Sequence, residues 1–283
     1  MGEGSIGRRE FLIATGSVLG FAAGTLYAQG TPSGRLGDIG LQLYTLRDMA
    51  KKDLAGTLAA VARAGYKEVE FAGLHGHPAT RVRRMLDDNG LRSPAAHISM
   101  PDIGPQWPVH LEDANILGQN YLVVAWIDAE RTSDGYKRVA QRFNEAGLKA
   151  RGENVHLAYH NHSYTFAPLQ GTTGYEILLR ETDPLNLAME ADIYWMRDAR
   201  QNPLDWFARF PGRFHMLHLK DMGRAPRYAM LDVGKGVIDW AAIFERRSQA
   251  GIRHVFVEHD EPGNGLASIR QSYQYLRALR FRG

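Results

Sequence analysis

From Gly37 onward the hydrophobic and polar positions of this chain alternate between two rhythms. Short apolar runs recur: IGLQLYTL, YKEVEFAG, SPAAHISM, NYLVVAWI, VHLAYHNH, NLAMEADIYW, FHMLHLKD and HVFVEHDE. Between them lie stretches whose apolar residues return at helical spacing, DLAGTLAAVARAG, ATRVRRMLDDNG, YKRVAQRFNEAGLKARG, GYEILLRET and IDWAAIFERRSQAG, and LASIRQSYQYLRALRF closes the chain. Several end at a glycine (Gly65, Gly90, Gly152, Gly251), the residue that most readily terminates a helix. Eight strand–helix units in roughly 250 residues predict an α/β fold of the (β/α)8 TIM-barrel type. An open doubly wound sheet would announce itself by glycines after the first strand, and YTLRDMAKKD has none. The glycines of DVGKGVID lack the spacing of a phosphate loop.

The first thirty residues break this rhythm. A polar start with Arg8 and Arg9 runs into Phe11, Leu12 and a Gly/Ala-rich apolar stretch, with small residues near Ala28. That order predicts a bacterial twin-arginine export signal over residues 1–29, cleaved around Ala28 to Gly30, and one barrel domain over 30–283. The expected location is therefore periplasmic or otherwise exported, with no membrane span once the signal is removed. The chain has no cysteine, so disulfide scaffolds and thiolate metal sites are excluded. With 34 basic and 31 acidic residues scattered along it, the chain offers no massed charge for nucleic acid. Homo-oligomerisation is left open.

The C-terminal ends of barrel strands form the catalytic face, and here those ends carry Glu70, His97, His160 with His162, Asp192, His218 with Lys220, and Glu258 with Asp260. Alternation puts His160 and His162 on one face, and likewise His218 and Lys220. Mixed His/carboxylate donors suit one divalent ion, Mn²⁺, Mg²⁺, Co²⁺ or Zn²⁺, with open positions where adjacent substrate oxygens could chelate.

"GLQLYTLRD", "GYKEVEFAG", "YHNHSYTF", "DIYW", "HLKD", "VGKGVIDW" and "VFVEHD", in that order, resemble the xylose-isomerase-like TIM-barrel superfamily of sugar phosphate isomerases/epimerases, ketose 3-epimerases and inosose dehydratases. The similarity runs from about Gly37 to the C-terminus. It implies metal ligation by Asp192, by His218 of the H-x-K-D element and by Glu258, with His160 standing where the family often keeps a glutamate. It further implies Glu258 as proton-abstracting base and Lys220 as stabiliser of an enolate oxygen, with Asp221 or Glu70 as competing ion-pair partners for that lysine. His162 is expected beside the substrate, Glu70 and His97 as hydroxyl contacts, and Tyr44, Trp126 and Trp195 as an apolar wall for a sugar ring.

Two departures narrow the chemistry. Related "YHNH" sequences place an acidic residue where this chain has Thr165, and Lys235 of VGKG replaces a common glutamate. Epimerisation by two opposed carboxylates thus lacks its second base. The expectation is an exported, metal-dependent sugar isomerase/epimerase-like enzyme acting on a free or glycosidic keto-sugar through an enediolate. A 3-keto-glycoside lyase or inosose-type dehydratase is the alternative, and a non-catalytic sugar-binding barrel the third. Endonuclease-type cleavage is disfavoured because Trp195 occupies the place of a further histidine ligand.

Overall fold

Eight parallel strands close on themselves in chain order: β1 (Gly40–Gln42), β2 (Glu68–Phe71), β3 (Arg92–Ile98), β4 (Tyr121–Val124), β5 (His156–His160), β6 (Leu187–Asp192), β7 (Phe214–Leu219) and β8 (His254–Val257), with β8 pairing back onto β1. The computed structural model describes Met1 and residues 34–128 and 130–282. The expected export signal at 1–29 lies outside the described residues apart from Met1. Among those residues no helix is long and apolar enough to cross a membrane. The fold is the (β/α)8 barrel that the two rhythms predict, and each strand lies within one of the eight apolar runs except β3, which starts one residue before its run.

Outside the strands run α1 (Arg47–Lys52), α2 (Leu54–Ala64), α3 (Ala79–Asp88), α4 (Trp107–Leu117), α5 (Ser133–Gly152), α6 (Gly174–Glu181), α7 (Ile193–Asp198), α8 (Pro203–Arg209), α9 (Trp240–Glu245), α10 (Arg247–Ala250) and α11 (Gly265–Ala278). Seven of these helices start at a side-chain cap. Asp53, Thr132, Thr173, Asp192, Asn202, Asp239 and Asn264 each accept a backbone N–H from the first turn of the helix that follows. On α5, Val139, Ala140, Phe143, Ala146, Gly147 and Ala150 fall on one buried stripe. Burying a side chain such as Phe143 contributes about 1.5–3 kcal/mol, so packing rather than propensity holds the helix down.

The strands face two cores. Outward side chains, among them Phe71, Leu122, Leu157 and Leu217, join the helices in a large apolar layer. Inside the barrel Ala95, Tyr121, Val123, Ala158, Ala188, Met216 and Phe256 form a separate plug. Gly40 makes room for that plug: a Cβ there would lie 2.3 Å from the Phe256 ring, too close for any side chain.

Candidate active site

Two residues further along each strand from the plug, side chains again point inward, and the apolar layer gives way to an ionisable one. His97 follows Ala95, His160 follows Ala158, Glu190 follows Ala188, His218 follows Met216 and Glu258 follows Phe256. Glu70 and Gln42 face each other across β2 and β1, and the register sets His160 opposite Glu190 and Asp192 opposite His218. His160, Glu190, Asp192, His218, Lys220 and Glu258 are all buried, with Glu258 the most accessible at 5%.

Glu190, which the strand-end reading passed over, is the centre of this layer. Its Oε2 lies 2.9 Å from His97 Nε2, 3.0 Å from His160 Nδ1 and 3.1 Å from His218 Nε2. Burial disfavours its charge, but His218 and the hydrogen bonds from His160 and His97 outweigh this and hold the carboxyl well below its ordinary range. An ionised carboxylate only accepts, so each facing ring nitrogen must carry its hydrogen. Burial and His218 keep His160 neutral, well below the usual imidazole range. With its proton on Nδ1, its Nε2 is a bare lone pair, 3.7 Å from Asp192 Oδ2. His218 likewise turns Nε2 down, 2.6 Å from Glu70 Oε2, and Nδ1 up, 2.8 Å from Glu258 Oε2. Burial opposes charge on His218, yet Glu190, Glu70 and Glu258 hold it well above the ordinary value.

Asp192 is fixed from two sides. As the cap of α7 its Oδ1 accepts from Trp195 N at 2.9 Å, leaving Oδ2 with no aligned hydrogen-bond donor. Asn161, the N of YHNH, donates to the Asp192 carbonyl at 3.2 Å and accepts from the Asp192 N–H at 3.0 Å, latching the end of β5 to the end of β6. Burial raises Asp192 to about 6, against Lys220 and His218.

This donor set fits a divalent cation. Asp192, His218 and Glu258 bring ligand atoms within 4.8 Å of one another, and His97, His160, Glu190 and His218 do the same one step deeper. At the upper level the bare His160 Nε2 lies 3.7 Å from Asp192 Oδ2 and His218 Nδ1 lies 2.8 Å from Glu258 Oε2, while Glu190 and Glu70 accept the N–H groups below. That is the carboxylate–histidine support typical of metal-binding imidazoles. The acceptor-rich ring, free of thiolates, suits the harder or borderline ions.

Lys220 Nζ lies 3.0 Å from Asp192 Oδ2, 2.6 Å from Glu258 Oε2 and 2.8 Å from Asp260 Oδ1. Burial opposes its charge, but these three carboxylates hold the ammonium well above its usual value. Neither Asp221 nor Glu70 is its partner, contrary to expectation. Asp221 instead accepts from the backbone N–H of Met222, Gly234 and Ile238 and from Trp240 Nε1, anchoring the VGKG turn.

A cavity of about 850 Å³ opens above the ring, lined among others by Tyr44, His97, Trp126, His160, His162, Lys220 and Glu258. The His162 ring packs against Trp126, centroids 5.2 Å apart, and Trp195, 5.5 Å apart. Burial and Lys220 push it down to about 3, so it is uncharged near neutrality and meets a ligand as a neutral hydrogen-bonding group. Two residues expected to meet substrate do not line this cavity. Glu70 is fully buried, with Oε2 accepting from Gln42 and His218, and burial and Glu190 raise it to about 7. Trp195 stands behind His162, with Lys220 Nζ 5.8 Å from its ring. Thr165 is buried and donates to the His162 carbonyl at 2.8 Å, so the place of an acidic residue is filled by a turn-closing hydroxyl.

The chain belongs to the Xylose isomerase-like TIM barrel family, whose sequence profile matches residues 58–279. A solved structure described as a sugar phosphate isomerase/epimerase from Parabacteroides distasonis ATCC 8503 is 26% identical, covers 88% of this chain and 99% of its own, and superposes with a TM-score of 0.76. An inosose dehydratase of Lacticaseibacillus casei is 26% identical over 136 residues, a match spanning 42% of this chain and 45% of that enzyme. The IolI protein with a bound zinc atom shares the fold, with 15% identity, 84% of this chain and 96% of that chain covered, and a TM-score of 0.66.

Proposed function

We propose that this protein is an exported, metal-dependent isomerase/epimerase-type enzyme that enolises a free or glycosidic keto-sugar. One observation carries the reading: of the carboxylates in the buried ring, Glu258 is the one that lines the cavity, and Lys220 lines it beside Glu258. The contacts of Glu258 with His218 and Lys220 all use Oε2, which leaves Oε1 to take a proton from a substrate C–H. His160, Asp192, His218 and Glu258 would hold a divalent cation, which when bound would supply Lewis-acid polarisation of a neighbouring carbonyl. Lys220, itself buried, places a fixed positive charge where negative charge develops on the substrate oxygen. His97 and neutral His162 position hydroxyls, and Tyr44 and Trp126 cover the sugar face.

With one cavity-facing carboxylate in the ring, proton removal and return occur on a single face. That favours isomerisation, or loss of a β-substituent, over inversion by two opposed bases. A lyase acting on a 3-keto-glycoside, or an inosose-type dehydratase, uses the same first step. Export rests on the arginine pair and the apolar stretch after it. The test is incubation of metal-loaded protein with keto-sugars and 3-keto-glycosides in heavy water, reading deuterium exchange and product release. Enolisation predicts exchange at one carbon, lost in Glu258→Gln. Sugar binding without exchange at any carbon would identify a binding barrel instead.

A further inference from the structure

The cavity is larger than its polar end requires. About 850 Å³ lies in the upper part of the range for pockets that enclose drug-sized ligands, and one sugar ring over Glu258 and Lys220 fills only a fraction of it. The remainder leaves the barrel axis. His97 points inward to Glu190, so strand alternation turns its neighbours Ala96 and Ile98 outward, toward the helices. Both line the cavity, as do outward-facing Phe71 and Leu122, and Leu117 at the end of α4. The space therefore passes over the ends of β2 to β4 toward α4, above Phe71, Leu117 and Leu122, which are themselves buried. Its threshold is kept low by small residues, Ala72, Gly73, Ala96 and Ala125. Nothing lies within 4 Å of where a Gly73 Cβ would stand. Leu74 and Ile98 flank the passage and Trp126, half exposed, stands at its mouth. Layers of this kind are close-packed, because an empty apolar space forfeits contacts on every side. An apolar crevice that opens beside the reacting centre is a place for an apolar part of the ligand.

We infer that the crevice between β2–β4 and α4 is a subsite for an apolar, aryl-type group joined to the sugar, so that the ligand is an aryl glycoside rather than a free monosaccharide. This rests on the proposal that the polar end holds a sugar. The polar groups at the far end, the Asp102–His110 pair at 3.5 Å and Asp113, suit hydroxyl substituents on such a group. The ring edge then packs on the partly buried Leu74 and Ile98, and Trp126 covers its outer face.

The test compares phenyl β-D-glucopyranoside, methyl β-D-glucopyranoside and 4-nitrophenol by calorimetry on metal-loaded wild type, Leu74→Ser and Ile98→Ser. The phenyl glycoside is expected to bind about tenfold or more tightly than the methyl glycoside. Each substitution should cut that preference to about twofold, with the melting temperature reporting that the fold is intact. Equal affinity for the two glycosides in wild type overturns the subsite while leaving the sugar reading standing. Binding of 4-nitrophenol that is lost in Ile98→Ser, with no binding of the methyl glycoside, supports the subsite and removes the sugar reading. Failure of all three probes to bind overturns the subsite.

Discussion

Glu190→Gln removes one negative charge, and almost nothing of the shape, from the point where three histidines meet. In the wild type a single oxygen accepts from His97, His160 and His218 at 2.9 to 3.1 Å, fully buried. The charge sets the pattern of protons: Nδ1–H on His160, leaving Nε2 bare toward Asp192, and Nε2–H on His218, so that a cation has to displace only the proton that His218 Nδ1 shares with Glu258. A neutral amide accepts less strongly, and its NH₂ can turn toward the imidazoles and favour the wrong tautomers. A charge-assisted hydrogen bond is worth about 1.5–3 kcal/mol against about 0.5–1.5 for a neutral one. Losing about 1 kcal/mol of support at each of two ligands amounts to about 2 kcal/mol, roughly a thirtyfold weaker cation. That lies inside the about 10–100-fold typical of partners that orient metal-binding histidines. Competition against a chromophoric chelator for Mn²⁺ and Zn²⁺ reads the affinity, and long-range ¹H–¹⁵N spectra of the imidazoles read the tautomers. Glu68→Gln is the matched control, since Glu68 pairs with His254 and Arg92 away from the cluster. A Glu190→Gln affinity within twofold of wild type, or an equal loss in Glu68→Gln, would refute the reasoning.

Three further outcomes follow from the same geometry. Lys220→Met strands Asp192, Glu258 and Asp260 without their ammonium; breaking a buried ion pair costs about 3–5 kcal/mol, so the metal-free protein should melt earlier, with added divalent cation restoring much of the loss. Unchanged melting without metal would show that the ammonium does not hold the ring together. Asn161→Ala removes both bonds that join β5 to β6 at the site, and should cost about 1–3 kcal/mol in urea unfolding while weakening the cation through misplaced His160 and Asp192; stability loss with unaltered affinity would confine Asn161 to scaffolding. Away from the site, burial and Arg253 push His215 down to about 4, below its ordinary 6.5. The unfolded chain therefore takes up the proton first, so this contribution is full above about pH 6.5 and is lost as pH falls toward 4. Its ceiling is about 3 kcal/mol, reduced to about 2 or less by partial solvent screening. Urea midpoints between pH 4.5 and 7 should fall less steeply for His215→Phe than for wild type, and parallel profiles would exclude the effect.

What the sequence disclosed and what it hid divide along physical lines. The strands were legible because parallel strands buried on both faces read as nearly continuous apolar runs, and LAMEAD or HVFV cannot satisfy their side chains elsewhere. Between β3 and β4 the pattern announces no helix, yet α4 forms. Its buried stripe of Trp107, Leu111, Ala114 and Leu117 is masked by exposed Val109 and half-buried Ile116, and by Pro108, which a first helical turn accommodates. The run NLAMEADIYW reads as one strand because Ile, Tyr and Trp favour extended backbone, but the Asp192 carboxylate caps α7 and turns the chain at Ile193. The site follows the same division. Period-2 alternation states which face a side chain occupies and nothing about its depth, so Glu70, expected against a substrate hydroxyl, lies beneath His218 instead. Glu190 had a signal of its own: it precedes Asp192 by two residues, as His160 precedes His162 and His218 precedes Lys220. Reading the two-residue step downward from each strand end, as well as across the ends, finds the carboxylate that organises the histidines. In a barrel of this kind the layer that touches substrate is set by the layer beneath it, and sequence patterns expose that second layer wherever a charge sits two residues before a strand-end ligand.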